Sequence, residues 1–296
     1  MALAHQFEYL KPESLPEAVG ILSKDGQRAQ ILAGGTDLIP WIEDELVVPE
    51  ILVDIKGIAE LEGITVGEHE VRVGALVTFS ELINSDVIRQ KLPLVFEMAK
   101  TVASPGIRNR ATLLGNICSA VPSCDSGPVL LVSQARIRTM SSGEEREISA
   151  ADWFRGPRKC ALEAGEMATE LFLPLPGRGC GGSYLKLGRY RGEDLAQASV
   201  AVLAMPDDRY RVAFGAVAPT PVRASRIEAL IDGKELTAET LTQAQHLVPG
   251  EIAPITDLRA TEQYRRHMIG VMLERSLKVA RARCSGEGPP YGSFIL

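Results

Sequence analysis

Two adjacent glycines directly after an apolar run constrain the N-terminal part of the chain more than any other feature. Residues 30–33 are typical of a buried strand, and Gly34-Gly35-Thr36-Asp37 predicts a tight turn at its end. Glycine lets backbone amides approach a ligand without a Cβ clash, so a side chain at Gly35 is expected to fill the ligand's space. Successive amides in such a turn bind anions, typically a phosphate. An ordinary Gly-Gly turn is the alternative interpretation.

A second candidate segment is Ala111-Thr112-Leu113-Leu114-Gly115-Asn116-Ile117, followed by Asp125 nine residues after Asn116. Thr112 and Asn116 can hydrogen-bond a phosphate or a ribose, and an ionised Asp125, which only accepts hydrogen bonds, suits a pair of ribose hydroxyls. Residues 103–117 are rich in turn formers and lack helical periodicity, which predicts a loop. A surface loop with an Asx turn explains the same residues.

The third candidate segment, residues 184–196, carries Lys186 and Asp194. The Lys186 ammonium could face a phosphate or the edge of a flavin, and Asp194 could pair with an arginine. A solvated strand and turn is the alternative interpretation of this segment.

Other fingerprints of nucleotide binding and catalysis are missing. No G-x-G-x-x-G follows the first strand, which argues against a Rossmann domain. The sequence has no P-loop and no G-x-S-x-G motif. The histidines are scattered, so we expect no metal site from them: His5, His69, His246 and His267.

The cysteines favour free thiols. The sequence has five of them and no C-x-x-C pair: Cys118, Cys124, Cys160, Cys180 and Cys284. Cys118 and Cys124 could ligate a metal or a cluster, but only these two lie close in sequence, so we expect none. An odd count without such pairs is typical of a reducing cytoplasm.

Charge and hydropathy narrow the possible partners. The chain has 38 acidic and 32 basic residues, and its basic runs, residues 108–110 and 186–191, are short. A nucleic-acid partner is therefore not expected, because such proteins carry a basic excess on at least one face. No window reaches 18 apolar residues and the N-terminus is short and polar, so we predict a cytoplasmic protein without a membrane span.

The length of 296 residues predicts about two domains. The Pro- and Gly-dense residues 174–182 are the candidate boundary, and a tail without periodicity, flexible or ordered only by a partner, is expected over residues 285–296. Capping boxes begin helices at Ser14 and Thr78. Hydrophobic patterns predict strands at 7–9, 30–33, 51–55, 71–76, 136–140, 183–187 and 210–217, and helices at 38–41, 92–102, 128–134, 196–204 and 261–283.

In this order and at these separations, the three segments resemble the FAD-binding medium subunit of molybdenum hydroxylases, the xanthine dehydrogenase and carbon monoxide dehydrogenase group. Residues 214–223, Phe-Gly-Ala-Val-Ala-Pro-Thr-Pro-Val-Arg, match the same family, so the resemblance covers nearly the whole chain. The chain departs from the family pattern at Leu114, where glycine is frequent. It also lacks the cysteine-rich insert by which one relative holds an extra iron–sulfur cluster.

The resemblance implies an α+β fold. A PCMH-type FAD-binding domain would cover residues 1–176 in two parts, about 1–56 and 57–176, and a smaller C-terminal α/β domain would cover residues 177–296. FAD would be bound non-covalently, and no metal would be bound by this chain. The residues implied to hold FAD are Ile31, Leu32, Ala33, Gly34, Gly35, Thr36, Asp37 and Leu38 in the first part, and Thr112, Gly115, Asn116, Ile117, Asp125 and Lys186 beyond it.

The function implied is that of an FAD-dependent oxidoreductase subunit. It would pass electrons from a 2Fe–2S small subunit through FAD to an external acceptor such as NAD, in a complex with a molybdopterin-binding large subunit. No catalytic residue is expected in this chain, because the cofactor carries the chemistry. A stand-alone flavin reductase of the same cofactor fold and a non-catalytic nucleotide-binding module are the alternatives.

Overall fold

The computed structural model describes residues 5–26, 28–190 and 194–293, so part of the basic run at 186–191 and of the segment 184–196 lies outside the described residues. Its strands are β1 (Glu8–Leu10), β2 (Ala29–Leu32), β3 (Ile51–Asp54), β4 (Ile64–Val66), β5 (Glu70–Gly74), β6 (Arg136–Ser141), β7 (Glu144–Ser149), β8 (Phe154–Gly156), β9 (Lys159–Cys160), β10 (Met167–Pro174), β11 (Gly181–Leu187), β12 (Ala198–Met205), β13 (Arg209–Gly215) and β14 (Val222–Arg223).

The helices within the described residues are mostly short. They are α1 (Leu15–Asp25), α2 (Leu38–Glu43), α3 (Phe79–Asn84), α4 (Asp86–Lys91), α5 (Pro93–Ala99), α6 (Pro105–Arg108), α7 (Leu113–Ser119), α8 (Ser126–Ser133), α9 (Ala150–Trp153), α10 (Ser225–Ile231), α11 (Ala238–Leu247) and α12 (Glu262–Cys284), with 3-10 turns at Ala59–Leu61 and Val248–Gly250. Across the described part of the chain, no helix combines the length and apolar character needed to cross a bilayer.

Three sheets form the framework. β1, β3 and β2 make a parallel sheet in that order, and β4-β5-β10-β6-β7 make an antiparallel sheet. The third sheet, β11-β12-β13-β14, is antiparallel and lies between helices α5 and α8 on one side and α10, α11 and α12 on the other. Mixed parallel and antiparallel sheets with segregated helices give the α+β fold that the resemblance implies.

The apolar core is continuous from the first sheet to the third. Val53 and Leu171, from the first two sheets, belong to the same buried cluster as Ala201 and Leu203 of β12. A second buried cluster lies on the opposite face of the third sheet, where α12 covers it. The domain division at residue 176 stays a prediction, because the larger core crosses it.

The helix predicted over residues 196–204 is wrong, because residues 198–205 form β12 in the middle of the third sheet. All but the last residue of this strand are buried, since helices cover both faces of the sheet. A strand buried on both faces has no alternation of apolar and polar residues, and its periodicity cannot be distinguished from that of a buried helix.

The loop predicted over residues 103–117 is also wrong in part, because it contains the short helices α6 and α7. Ser104 accepts a hydrogen bond from the Ile107 amide and Thr112 accepts one from the Gly115 amide, so each helix has an N-cap. Helices of one or two turns are too short to produce a hydrophobic period, which is why the caps were their only sequence signal.

The C-terminal tail packs on the chain itself through residue 293. The Tyr291 ring stacks on the Arg283 guanidinium at 4.0 Å, and its hydroxyl accepts a hydrogen bond from the Gly182 amide at 2.7 Å. The Gly292 amide donates to Glu97 at 3.0 Å. The expectation of a tail that is flexible or ordered by a partner is therefore wrong for residues 285–293.

Candidate functional site

A cleft of about 710 Å³ brings the three candidate segments together. Its walls come from the turn after β2, from the segment around α7, and from the end of β11 with the residues that follow it. Gly34 and Gly115, which are far apart in sequence, line the same cleft. The volume lies within the range of about 300–1,000 Å³ that is typical of small-molecule sites.

The glycine turn is pressed against the second segment. A Cβ on Gly34 would lie 2.0 Å from the Arg110 carbonyl oxygen and 3.1 Å from the Ala111 Cα, so only glycine permits this backbone contact. Gly35 has a φ of +75°, which disfavours a side chain, and a Cβ there would point at Leu32 and Ile39. That a side chain at Gly35 would fill ligand space stays a prediction, and the structure adds that its Cβ would crowd the Leu32 side chain.

The glycine turn leads into α2, and the polar groups of the turn line the cleft. Asp37 is the residue before α2 and its side chain makes no capping hydrogen bond to the helix. Trp41 in α2 also lines the cleft, and the Arg158 guanidinium lies 5.6 Å from its ring centroid. The cleft therefore has one aromatic wall that is held by an arginine from the β8–β9 hairpin.

The second segment presents two polar side chains whose other contacts fix them in place. Thr112 is buried, and its hydroxyl oxygen accepts from the Gly115 amide at 3.0 Å, which leaves its proton for a ligand. The Asn116 side-chain oxygen accepts from the Cys124 thiol at 3.1 Å and from the Ser126 hydroxyl. Its amide nitrogen is therefore the part of Asn116 that can donate to a ligand.

Asp125 and Lys186 form a nearly buried ion pair in the cleft wall. The Lys186 ammonium donates to Asp125 at 2.7 Å and to the Thr101 carbonyl at 3.0 Å, and the Tyr184 hydroxyl donates to the other Asp125 oxygen at 2.8 Å. Burial raises the pKa of Asp125, whereas Lys186 lowers it. Burial and the Asp125 charge raise the pKa of Tyr184 well above its usual value, so Tyr184 stays a donor.

The cysteines near the cleft are not activated. Burial raises the pKa of Cys124 to about 12 and that of Cys118 well above its usual value. The thiolate is the nucleophile and the metal ligand, so these thiols are inert at neutral pH. Within residues 5–26, 28–190 and 194–293, no group of three His, Cys, Asp or Glu side chains could hold a metal ion.

Residues of the C-terminal sequence form the rim of the cleft, and all of them but Asp194 are exposed. Arg189, Asp194, Leu195 and Arg259 line it. Asp194 accepts a hydrogen bond from the Arg189 amide at 2.5 Å, and its carboxylate lies 3.7 Å from the Arg189 guanidinium. The expected pairing of Asp194 with an arginine is therefore confirmed.

Most of the sequence-predicted residues meet at this cleft: Ile31, Ala33, Gly34, Gly35, Thr36, Asp37, Leu38, Thr112, Gly115, Asn116, Asp125 and Lys186. The structure does not bring Leu32 or Ile117 to its surface. The Leu32 side chain lies inside the glycine turn, and Ile117 is fully buried with its carbonyl accepting from Trp153 at 2.9 Å.

Sequence reasoning missed Trp41, Arg158 and Arg259. Each is a single residue at the cleft or against its wall, and no motif surrounds it. Only the short basic run at residues 186–191 gave a signal for the rim arginine, Arg189.

The donors of the cleft fit FAD. The close contact at Gly34 leaves the glycine turn and the α7 segment side by side, where hydroxyl and amide donors can reach one diphosphate. The Asp125–Lys186 pair adds one acceptor and one donor to the wall of the cleft, without a net charge. The apolar lining and Trp41 suit the flat rings of a flavin nucleotide.

Two family models and several known proteins match the sequence over most of its length. The model of the FAD binding domain in molybdopterin dehydrogenase matches residues 5–176, and that of the CO dehydrogenase flavoprotein C-terminal domain matches residues 183–280. The carbon monoxide dehydrogenase medium chain of Afipia carboxidovorans is 34% identical over 94% of this chain and 97% of its own. The xanthine dehydrogenase FAD-binding subunit of Escherichia coli O157:H7 is 31% identical over 94% and 97%.

Solved structures agree over the whole fold. A carbon monoxide dehydrogenase chain from Hydrogenophaga pseudoflava superimposes with a TM-score of 0.92 at 35% identity, covering 96% of this chain and 100% of that one. A chain of quinoline 2-oxidoreductase from Pseudomonas putida 86 gives 0.89 at 27% identity, covering 97% and 99%. The chain therefore belongs to the FAD-binding medium subunits of the molybdenum hydroxylases, a family of oxidoreductases whose cofactor is FAD.

Proposed function

We propose that this chain is an electron-transfer subunit, which takes electrons from a 2Fe–2S subunit and passes them to an external acceptor such as NAD. The observation that carries the proposal is the single cleft in which the glycine turn, the α7 segment and the Asp125–Lys186 pair meet. FAD, when bound there non-covalently, supplies the capacity to accept and release electrons singly or in pairs.

The chain's own residues bind and orient the cofactor. The amides of residues 34–37, the Thr112 hydroxyl and the Asn116 amide are proposed to donate to the diphosphate, and Asp37 and Asp125 to accept from hydroxyls. Lys186 is held by two acceptors, so its charge stays in the wall without reorganisation. No acid or base is needed to break a substrate bond here.

The partners are proposed from the relatives. One matched structure is a Cu,Mo-CO dehydrogenase, and another is a carbon monoxide dehydrogenase that lacks the Mo-pyranopterin moiety of its molybdenum cofactor. A molybdopterin-binding large subunit and a 2Fe–2S small subunit are therefore the proposed partners, with the rim at Arg189 and Arg259 left for the electron acceptor. All five cysteines are free, as is typical of a reducing compartment, so we extend the proposal to a cytoplasmic location.

Anaerobic spectroscopy of the FAD-loaded chain, alone and with its co-purified partners, tests this function. We expect the flavin absorbance of the complex to bleach on addition of the substrate of the large subunit, and the isolated chain to stay oxidised with that substrate. Bleaching of the isolated chain by NADH with rapid turnover toward added dyes, and no response in the complex, would instead show a stand-alone flavin reductase. A chain that binds nucleotides and never undergoes reduction would be a binding module.

A further inference from the structure

The end of α12 lies directly against the segment that joins β10 to β11. A Cβ built on Gly181 would lie 2.3 Å from the Cys284 amide nitrogen and 2.3 Å from the Ala280 carbonyl oxygen. Cys180 precedes Gly181, and Cys284 is the last residue of α12. Two cysteines that are far apart in sequence are thus adjacent on the molecule.

The sulfur of Cys284 is within reach of Cys180. The Cys284 thiol donates to the Gly179 carbonyl oxygen at 2.7 Å. Standard backbone dimensions then place this sulfur within about 6 Å of the Cys180 Cα, because that carbonyl belongs to the peptide bond before Cys180. The Cys180 sulfur is two bonds from that Cα, so rotation of the Cys180 side chain can bring the two sulfurs close to the roughly 2.05 Å of an S–S bond with little backbone movement.

The surroundings of the two thiols admit a small oxidant. Both cysteines are partly exposed, and Cys180 lines a cavity of about 290 Å³ together with Arg211, outside the FAD cleft. Burial and Cys284 raise the pKa of Cys180, whereas Arg211 lowers it. The Arg281 guanidinium lies 3.9 Å from the Cys284 sulfur. Arg211 thus favours the Cys180 thiolate, which is the reactive form, against the effect of burial.

The remaining cysteines differ from this pair in position. Cys124 is buried, and Cys118 and Cys160 line the FAD cleft. The proposed function uses neither Cys180 nor Cys284, so these two residues are not needed to explain the cofactor site.

We infer that Cys180 and Cys284 form a modification site, which hydrogen peroxide oxidises to an intrachain disulfide. The Cys180 thiolate attacks the peroxide, becomes a sulfenic acid, and the first oxygen leaves as water. The Cys284 sulfur then displaces the second oxygen as water, and the S–S bond forms. Two thiols lose two electrons and two protons, and one peroxide gives two waters. The bond ties the segment before β11 to the end of α12.

Thiol counting and peptide mapping of the full chain test this site. After treatment with hydrogen peroxide and blocking of free thiols, two of the five cysteines should be lost from the count, and dithiothreitol should restore them. Peptides containing Cys180 and Cys284 should be found linked under non-reducing conditions. The reaction should be faster at pH 9 than at pH 7, because the thiolate fraction of Cys180 rises with pH.

Serine variants test whether the bond forms between Cys180 and Cys284 and not between other cysteines. Cys180→Ser should keep all its remaining thiols under peroxide, and Cys284→Ser should lose only the Cys180 thiol, as a sulfenic acid without a linked peptide, whereas Cys160→Ser should still lose two. The peptide map of the wild-type chain tests the inference even if a serine variant fails to fold. Retention of all five thiols, a bond between any other two cysteines, or a sulfinic acid at Cys180 without a linked peptide would overturn the inference.

Discussion

At the scale of single residues, the cleft depends on contacts that backbone atoms make with backbone atoms. Gly34 is the clearest case, because the atom that a Cβ would meet is the carbonyl oxygen of Arg110 and not a flexible side chain. The Gly-Gly pair could be found in the sequence, but which glycine needs to lack a Cβ could not. That answer depends on a residue from another part of the chain.

Gly34→Ala should therefore separate the glycine turn from the α7 segment. We expect a loss of about 1–3 kcal/mol in the free energy of unfolding, the range of overpacking changes, and at least a tenfold weaker affinity for FAD. Urea unfolding and flavin titration measure the two effects. Gly20→Ala in α1, where a Cβ would meet nothing within 4 Å, is the matched control and should be neutral or stabilising. Equal FAD affinity in the two variants would contradict the role of Gly34.

Asp125 and Lys186 should be energetically coupled. Asp125→Ala leaves the Lys186 charge without its counter-charge and the Tyr184 hydroxyl without this acceptor in a nearly buried wall. We expect a cost of about 3–5 kcal/mol, as for other buried pairs that lose one partner. The double variant with Lys186→Met should recover much of this stability in urea unfolding, while its FAD affinity stays low. Additive losses in the double variant would show that the two residues act independently.

At the scale of elements, local signals predicted helix starts better than they predicted the third sheet. The capping box predicted at Thr78 begins α3, and such a cap depends only on residues three apart. β12 was misread as a helix because its burial is set by α8 on one face and α12 on the other. Packing partners from distant parts of the chain leave no local pattern.

The two predicted capping boxes should differ in strength. At Thr78 both hydrogen bonds of the box are present, so this prediction is confirmed. At Ser14 the side chain accepts from the Glu17 amide at a long 3.4 Å, and the Glu17 carboxylate accepts from Glu13 instead of Ser14. We expect Thr78→Ala to cost about 1–2 kcal/mol and Ser14→Ala about 0.5 kcal/mol in urea unfolding. The reverse order would contradict this interpretation of the caps.

At the scale of the whole molecule, the resemblance predicts that the three segments share one site, and in the structure they line one cleft. The sequence pattern could not reveal that the C-terminal tail binds Glu97 or that the apolar core crosses residue 176. Both features arise from contacts between residues that are far apart in sequence. The position of the rim residue Arg259 also depends on a distant residue, because the Gln197 side chain donates a hydrogen bond to its carbonyl oxygen at 3.2 Å.

Acid stability should report on Asp257 in the turn before α12. Although burial opposes it, hydrogen bonds from the Arg259 and Ala260 amides and from Arg265 lower the pKa of Asp257 to about 2. A carboxylate with a depressed pKa stabilises the fold above its unfolded pKa of about 3.9, and this stabilisation is lost as pH falls toward 2. The stability difference between wild type and Asp257→Asn should be on the order of 2 kcal/mol at pH 5 and shrink below pH 4. A difference that does not change with pH would exclude this ionisation as its source.

A structure of the chain crystallised with FAD tests the central claim most directly. We predict the diphosphate between residues 34–37 and residues 112–116, with Lys186 and Asp125 in contact with the same molecule of FAD. Density for the diphosphate in any other place, with Gly34 and Gly115 facing empty solvent, would contradict the account.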